Sequence, residues 1–123
     1  MTYEEIFEAA KTEFMKSDVS SFKQHLAVQI DIIGEGEGAF YVELKDGQLY
    51  VEPYEYYDRH VKLIATAKDF LKIVNGSLNA VMAYTTGKLR IEGDLGKALE
   101  LQQIIENIKK TEKKEQKAAK KKK

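Results

Sequence analysis

At 123 residues and without cysteine, the chain has length for one domain with one core, and no means of forming disulfides, thiolate metal sites or a cysteine nucleophile. Charged residues make up 33% and apolar ones 43%, a balance typical of soluble globular proteins, and no apolar run nears the roughly 20 residues that cross a bilayer. The net charge of zero conceals a division: from Lys109 onward nine lysines stand against two glutamates, net +7, while residues 1–108 carry 11 basic and 18 acidic side chains, net −7.

Thr2 and Glu5 form the Thr-x-x-Glu capping box of a helix start, and Tyr3, Ile6, Phe7, Ala10 and Phe14 then share one helical face. A basic start followed by an apolar stretch, as in a secretory signal, is missing, so a cytoplasmic location is expected. Asp18 to Ser21 is a polar break, after which Phe22 turns back toward the core. From Leu26 the period changes to two: Leu26, Val28, Ile30 and Ile32 alternate with Ala27, Gln29 and Asp31 as a strand. Gly34-Glu35-Gly36-Glu37-Gly38 reads as a turn, its two glutamates too few and too exposed for a metal loop. Phe40, Val42 and Leu44 form the next strand. Asp46-Gly47 then predicts a hairpin that returns through Leu49 and Val51 and stops at Pro53.

Tyr54, Tyr56, Tyr57, Arg59 and His60 could form a base-stacking platform, but Glu52, Glu55 and Asp58 among them repel phosphate. A connecting loop with partly buried tyrosines is the better reading, and nucleic acid is not an expected partner. His25 and His60 stand apart in the sequence, without the i, i+4 pairing of a metal site; no metal or other cofactor is expected. Val61, Leu63 and Ala65 alternate as a fourth strand. Thr66 and Asp69 repeat a capping pattern for a helix carrying Phe70, Leu71, Ile73 and Val74, which Asn75-Gly76 ends. Asn79 to Tyr84 reads as a short helix closed by Gly87.

Leu89 and Ile91 alternate with Arg90 and Glu92 as a fifth strand, broken by Gly93-Asp94. Asp94 caps a helix whose apolar face comprises Leu95, Ala98, Leu99, Leu101, Ile104, Ile105 and Ile108. Gly93 and Gly96 occupy a strand-to-helix turn, where phosphate loops also occur. With no Gly-Lys-Ser/Thr and no full Gly-x-Gly-x-x-Gly, they read as corner glycines. Past Ile108 the apolar pattern fades, the helix running on for a turn or two into a basic, flexible tail. Five strands and four or five helices in this order predict an α+β domain over residues 1–108, with the tail at 109–123.

The ordered run Phe70-Leu71, Gly76, Leu78-Asn79, Ala83-Tyr84, Gly87 to Ile91, Gly93 to Gly96, Ala98 and Leu101-Gln102 resembles the sterol carrier protein type 2 family. The similarity is closest across Asp69 to Gln102 and looser before it. The resemblance implies helices over a curved, mainly antiparallel five-stranded sheet, with an apolar tunnel between them. Eukaryotic carriers of this family often end in Ser-Lys-Leu; four closing lysines here leave peroxisomal delivery without support.

The function expected is therefore non-enzymatic: binding and transfer of a hydrophobic lipid, whether a fatty acyl chain, a sterol or another isoprenoid-like molecule. Each ligand methylene buried against an apolar wall contributes roughly 0.8 kcal/mol. Candidate wall residues are Val28, Ile30, Ile32, Phe40, Val42, Phe70, Val74, Met82, Tyr84, Leu95, Leu99 and Ile105, with Gln102 as a polar contact. Alternation alone does not separate wall from core filler. No Ser/His/Asp or Cys/His set has recognisable spacing, so no catalytic residue is nominated. An alternative is an accessory domain that delivers a hydrophobic substrate, such as a quinone precursor, to a partner enzyme. The lysine tail adds an expected partner, the anionic membrane surface.

Overall fold

The computed structural model describes residues 1–121, with side chains through Ile108 and at Lys110. The first helix, α1 (Tyr3–Phe14), opens on the expected capping box: Thr2 accepts from the Glu5 amide, and the Glu5 carboxylate accepts from the Thr2 amide. Its apolar stripe of Ile6, Phe7, Ala10 and Phe14 is buried.

Three strands follow, β1 (Leu26–Ile33), β2 (Gly38–Lys45) and β3 (Gln48–Glu52), each pairing antiparallel with the next. Asp46 (φ 54°) and Gly47 (φ 72°) both hold positive φ in the β2–β3 turn, as a type I′ hairpin requires. The chain then crosses to β4 (Val61–Thr66), which runs parallel to β1. Next come α2 (Ala67–Val74), capped by Thr66, and the six-residue α3 (Ala80–Thr85), capped by Asn79. The last strand, β5 (Arg90–Gly93), pairs antiparallel with β4, and α4 (Leu95–Lys121) closes the chain. The sheet order is β3-β2-β1-β4-β5, so three of its four pairings are antiparallel.

Register explains where the core lies. One cross-strand row runs Val51, Val42, Val28 and Val61; the next runs Phe40, Ile30, Leu63 and Ile91. Both rows face the helices. Phe7 and Phe70 pack edge-to-face on Phe40 at 5.5 and 5.8 Å between centroids, and Leu101, Ile104, Ile105 and Ile108 of α4 complete the cluster. The opposite face of β1 is covered as well, which simple alternation does not foretell. Gln29 there is only 3% exposed, because the 53–60 connection lies over it. Its Oε1 accepts from the Tyr56 amide (3.1 Å) and Arg59 (3.4 Å), and its Nε2 donates to Asp31 (2.7 Å).

The α4 backbone continues well beyond the turn or two expected after Ile108. The segment is rich in lysine, glutamate, glutamine and alanine, all good helix formers, so local propensity carries the helix on without an apolar face. The tail's end, Lys122 and Lys123, lies outside the described residues, as do the side chains at 109 and 111–121. No helix among the described residues is long and apolar enough to cross a membrane.

Candidate functional site

The helix layer does not cover the whole sheet. Beyond the packed rows, where Leu63 of β4 meets Ile91 of β5, a pocket of about 190 Å³ lies between α3 and the first turns of α4. Phe70 and Ile73 of α2, with Leu63, Leu89 and Ile91, form its floor and inner wall. Ala80, Val81 and Tyr84 of α3 form one side, and Leu95, Ala98, Leu99, Leu101, Gln102 and Ile105 of α4 the other. No through-going tunnel is seen among the described residues.

Local chemistry sets each wall. Asn79 Oδ1 accepts from the amides of Val81 (2.8 Å) and Met82 (3.2 Å), starting α3. Gly87, at φ 81°, ends it and turns Lys88 and Leu89 so that both amides donate to the Ala83 carbonyl, at 2.8 and 3.0 Å. On α4, Asp94 Oδ1 accepts from the Lys97 amide at 3.3 Å, and the spacing of Leu95, Ala98, Leu99, Gln102 and Ile105 brings all five to the pocket. Gly93 sits between the two parts at φ 115°, with its absent Cβ position 2.7 Å from the His60 carbonyl oxygen. No other residue type fits that approach.

Two polar side chains reach this wall, Tyr84 and Gln102. Gln102 Oε1 accepts from the Ala80 amide at 3.3 Å, tying the start of α3 to α4, while its Nε2 donates to Glu106 at 3.4 Å. Leu95, Leu99, Val81 and Tyr84 are each partly open to solvent, so they form the mouth. A wall with so little hydrogen-bonding capacity suits an apolar ligand.

Of the sequence-nominated wall residues, the structure brings Phe70, Tyr84, Leu95, Leu99, Gln102 and Ile105 together around this pocket. Val28, Ile30, Ile32, Phe40, Val42 and Val74 lie in the packed core, and Met82 is exposed and does not line the pocket. Leu63, Ile73, Ala80, Val81, Leu89, Ile91, Ala98 and Leu101 line the pocket without having been nominated. Most of them were legible as apolar positions in the expected elements; what they lacked was a signal for where the helices part.

A polar cluster lies on the other side of the sheet. Glu43 Oε2 accepts from Tyr56 Oη at 2.7 Å and lies 2.8 Å from His25 Nε2. Burial pushes the Glu43 carboxyl upward, but the bonds from His25 and Tyr56 outweigh it and its pKa is lowered. The same bond to Glu43, with burial behind it, pushes the Tyr56 phenol up to about 12. His25 and His60 are not isolated as their sequence separation suggested: their rings meet edge-to-face at 5.2 Å, and His60 Nδ1 accepts from the Ala27 amide at 2.9 Å. The reason is that β1's start and the end of the 53–60 loop pair directly. Tyr54 and Tyr57, expected to be partly buried, are exposed, whereas Tyr56 is half-buried. Among the described residues no group of three His, Cys, Asp or Glu side chains could hold a metal ion.

Comparison with known proteins agrees with this geometry. A curated relative, hydroxysteroid dehydrogenase-like protein 2 of Xenopus tropicalis, is 36% identical over 80 residues, 63% of this chain but 19% of that protein. The chain thus spans about a fifth of that relative's length. Among solved structures, palmitated SCP2L2 from Aedes aegypti superposes with a TM-score of 0.64 at 24% identity, covering 85% of this chain and 95% of that one. A UbiJ-SCP2 ubiquinone synthesis protein superposes with a TM-score of 0.59 at 14% identity, covering 80% and 78%. Residues 4–106 match the SCP-2 sterol transfer family, and the chain belongs to that family.

Proposed function

We propose that the chain is a non-enzymatic carrier that holds a hydrophobic lipid in the pocket between α3 and α4 and transfers it. The observation that carries this reading is a wall of carbon, interrupted by Tyr84 and Gln102, that opens to solvent through apolar residues. Family membership supports it, as does the palmitated state of the Aedes relative. At about 190 Å³ the pocket exceeds the roughly 150 Å³ of an engineered apolar cavity that binds benzene, and falls below the roughly 300–1,000 Å³ of typical ligand sites. A segment of an acyl chain, sterol or isoprenoid-like molecule fits it as it stands. The rest of a long ligand lies in the mouth, or enters as α3 moves off α4. Gln102 then exchanges its bond to the Ala80 amide for one to the ligand's polar end.

The same pocket also suits delivery of a hydrophobic substrate, such as a quinone precursor, to a partner enzyme. The ubiquinone synthesis protein among the structural relatives favours this second reading, as does the small share of its curated relative that the chain spans. In either role, the lysine-rich segment from Lys109 supplies attraction to anionic lipid, worth about 1 kcal/mol per lysine near the surface. Titration of delipidated, detergent-free protein with a fluorescent fatty acyl probe tests the shared premise. Saturable binding near one probe per chain is expected, and repeated absence of binding by folded protein overturns it.

A further inference from the structure

Two histidine carbonyls hold the first turn of α4. The His60 carbonyl accepts from the Asp94 amide at 3.1 Å, and the His25 carbonyl accepts from Lys97 Nζ at 3.4 Å. Asp94 precedes Leu95, whose side chain stands in the pocket mouth, so both contacts brace one end of that opening. His60 also fastens the start of β4 to β1. Its amide donates to the Ala27 carbonyl at 2.8 Å, and its ring Nδ1 accepts from the Ala27 amide at 2.9 Å. The ladder between these strands begins one residue later, at Val28 and Val61, so the ring stands in for a strand carbonyl. Ala27 has no exposed surface, and water is no substitute acceptor for its amide.

That bond fixes the state of the ring. A backbone amide can only donate, so Nδ1 carries a lone pair and the proton of the neutral imidazole sits on Nε2. A second proton, at Nδ1, turns the acceptor into a donor, and two donors then face each other. His25 differs. Its Nε2 donates to Glu43 at 2.8 Å whether the ring is neutral or charged, so acid leaves that contact in place. The two rings meet edge-to-face at 5.2 Å, and a charged His25 therefore repels a charged His60. Other charged groups surround the pair. Asp58 and Arg59 precede His60, Lys62 follows it, and Lys23 precedes His25. Glu92 and Asp94 flank the glycine packed on the His60 carbonyl. Lys97, paired with Glu100 at 3.1 Å, comes from α4, and Glu43, bonded also to Tyr56, comes from β2. None of these accepts from the Ala27 amide, whose acceptor is the His60 ring.

We propose that His60 is an acid-sensitive latch of the lipid pocket: a proton on its ring Nδ1 breaks the bond to the Ala27 amide, frees the β5–α4 corner and opens the mouth at Leu95. The proposal rests on the carrier reading and adds to it a trigger for release. Its sign follows from the bond. An ordinary imidazole takes up a proton below about pH 6.5. The Ala27 bond is present above the range in which the ring charges and is lost as pH falls through it. Release of a lipid is therefore slow near neutrality and faster in mild acid, with no change in the apolar wall that holds it. Gly93 transmits the movement, because its backbone is pressed against the His60 carbonyl with no side chain between them.

The full-length protein is loaded with the methyl ester of a pyrene-labelled fatty acid, a probe with no titrating group. Its displacement by unlabelled ester is followed by stopped flow at about pH 7.5 and about pH 5.5, on either side of the ordinary imidazole range. Release is expected to quicken about tenfold in acid, the effect of leaving one buried amide without its acceptor. His60→Asn sets Oδ1 near the position of Nδ1 and does not titrate, so its release is expected to be slow and equal at both pH values. By nuclear magnetic resonance, exchange protection of the Ala27 amide, taken relative to the free-peptide rate, is expected to fall in acid in the unsubstituted chain. The methyl signals of Leu95 and Leu99 are expected to shift with it. Equal release at the two pH values by the unsubstituted chain overturns the latch. So does acid-quickened release that persists in His60→Asn, which moves the switch to another group such as His25. An Ala27 amide that stays protected while the His60 ring is charged overturns it as well, and that measurement stands even if the variant fails to fold. Absence of probe binding near neutrality counts against the carrier reading alone, since the Ala27 amide and the two leucine methyls read the latch without lipid.

Discussion

Gly93→Ala places the smallest possible side chain at the corner that joins β5 to α4. The residue holds φ 115°, a region L side chains rarely adopt, and such strain costs about 1–3 kcal/mol. The new Cβ also meets backbone: the His60 carbonyl oxygen at 2.7 Å and Val61 Cα at 3.1 Å. Neither atom can yield alone, because the same carbonyl accepts from the Asp94 amide at 3.1 Å and Val61 is Gly93's partner in the sheet. Overpacking of this kind adds about 1–3 kcal/mol, for a total near 2–6 kcal/mol. Against a typical domain stability of about 5–15 kcal/mol, that is a large fraction. Urea unfolding followed by far-ultraviolet circular dichroism is expected to show a markedly lower midpoint with an unchanged slope, and Gly93→Val a still lower one. Below the transition, acyl-probe affinity is expected to change little, since Gly93 does not line the pocket. A normal midpoint would refute the packing argument. A normal midpoint with selective loss of probe binding would assign Gly93 a direct ligand role.

Gln102→Leu keeps an apolar wall but leaves the Ala80 amide without its acceptor; stability is expected to fall by about 0.5–1.5 kcal/mol, and stopped-flow displacement should show faster probe release as α3 loosens. Because folding lowers the Glu43 pKa, its contribution is fully present above the ordinary glutamate value and lost as pH falls through the depressed folded value. The urea midpoint should decline across that acid window, and Glu43→Gln should flatten the decline. Truncation after Ile108 removes a net charge of +7 and little apolar surface, so fold and probe affinity should survive. Transfer to vesicles containing anionic lipid should slow, with a difference that shrinks as the Debye length falls from about 10 Å at 0.1 M salt to about 3 Å at 1 M. Equal transfer rates at low salt would leave the lysine-rich segment without a membrane role.

Much of this architecture was legible because short-range chemistry decides it. The Thr2/Glu5 box, the Asp46-Gly47 turn, the Thr66 and Asn79 caps and the corner at Gly93 are local solutions to backbone hydrogen bonding, and each lies where the residues put it. The site was legible only in part. Period-two alternation says that Val28, Ile30, Phe40 and Val42 face the helices, yet it does not say which part of the sheet the helices fail to cover. That depends on α1 packing toward β2 and β3 and α4 crossing β1 and β4, while α3, only six residues long, flanks the pocket over Leu89 and Ile91. For the same reason Leu89 and Ile91, ordinary strand positions by pattern, line the pocket, and Met82 lies outside it. The contact of His25 with His60, and the burial of Gln29, were hidden likewise. Both come from the 53–60 loop folding back over β1, a tertiary event without a periodic signature.

The central claim is that the apolar space between α3 and α4 is where a lipid is held. Methyl-labelled protein, delipidated and reloaded with a protonated fatty acid in otherwise deuterated surroundings, tests it through intermolecular nuclear Overhauser contacts. Contacts from the acyl chain to the methyls of Leu63, Ile73, Leu89, Leu99 and Ile105 are expected, with none to Val28, Ile30 or Val42. A saturably bound chain whose contacts fall on the central-strand valines, or on surfaces away from α3 and α4, would contradict the account.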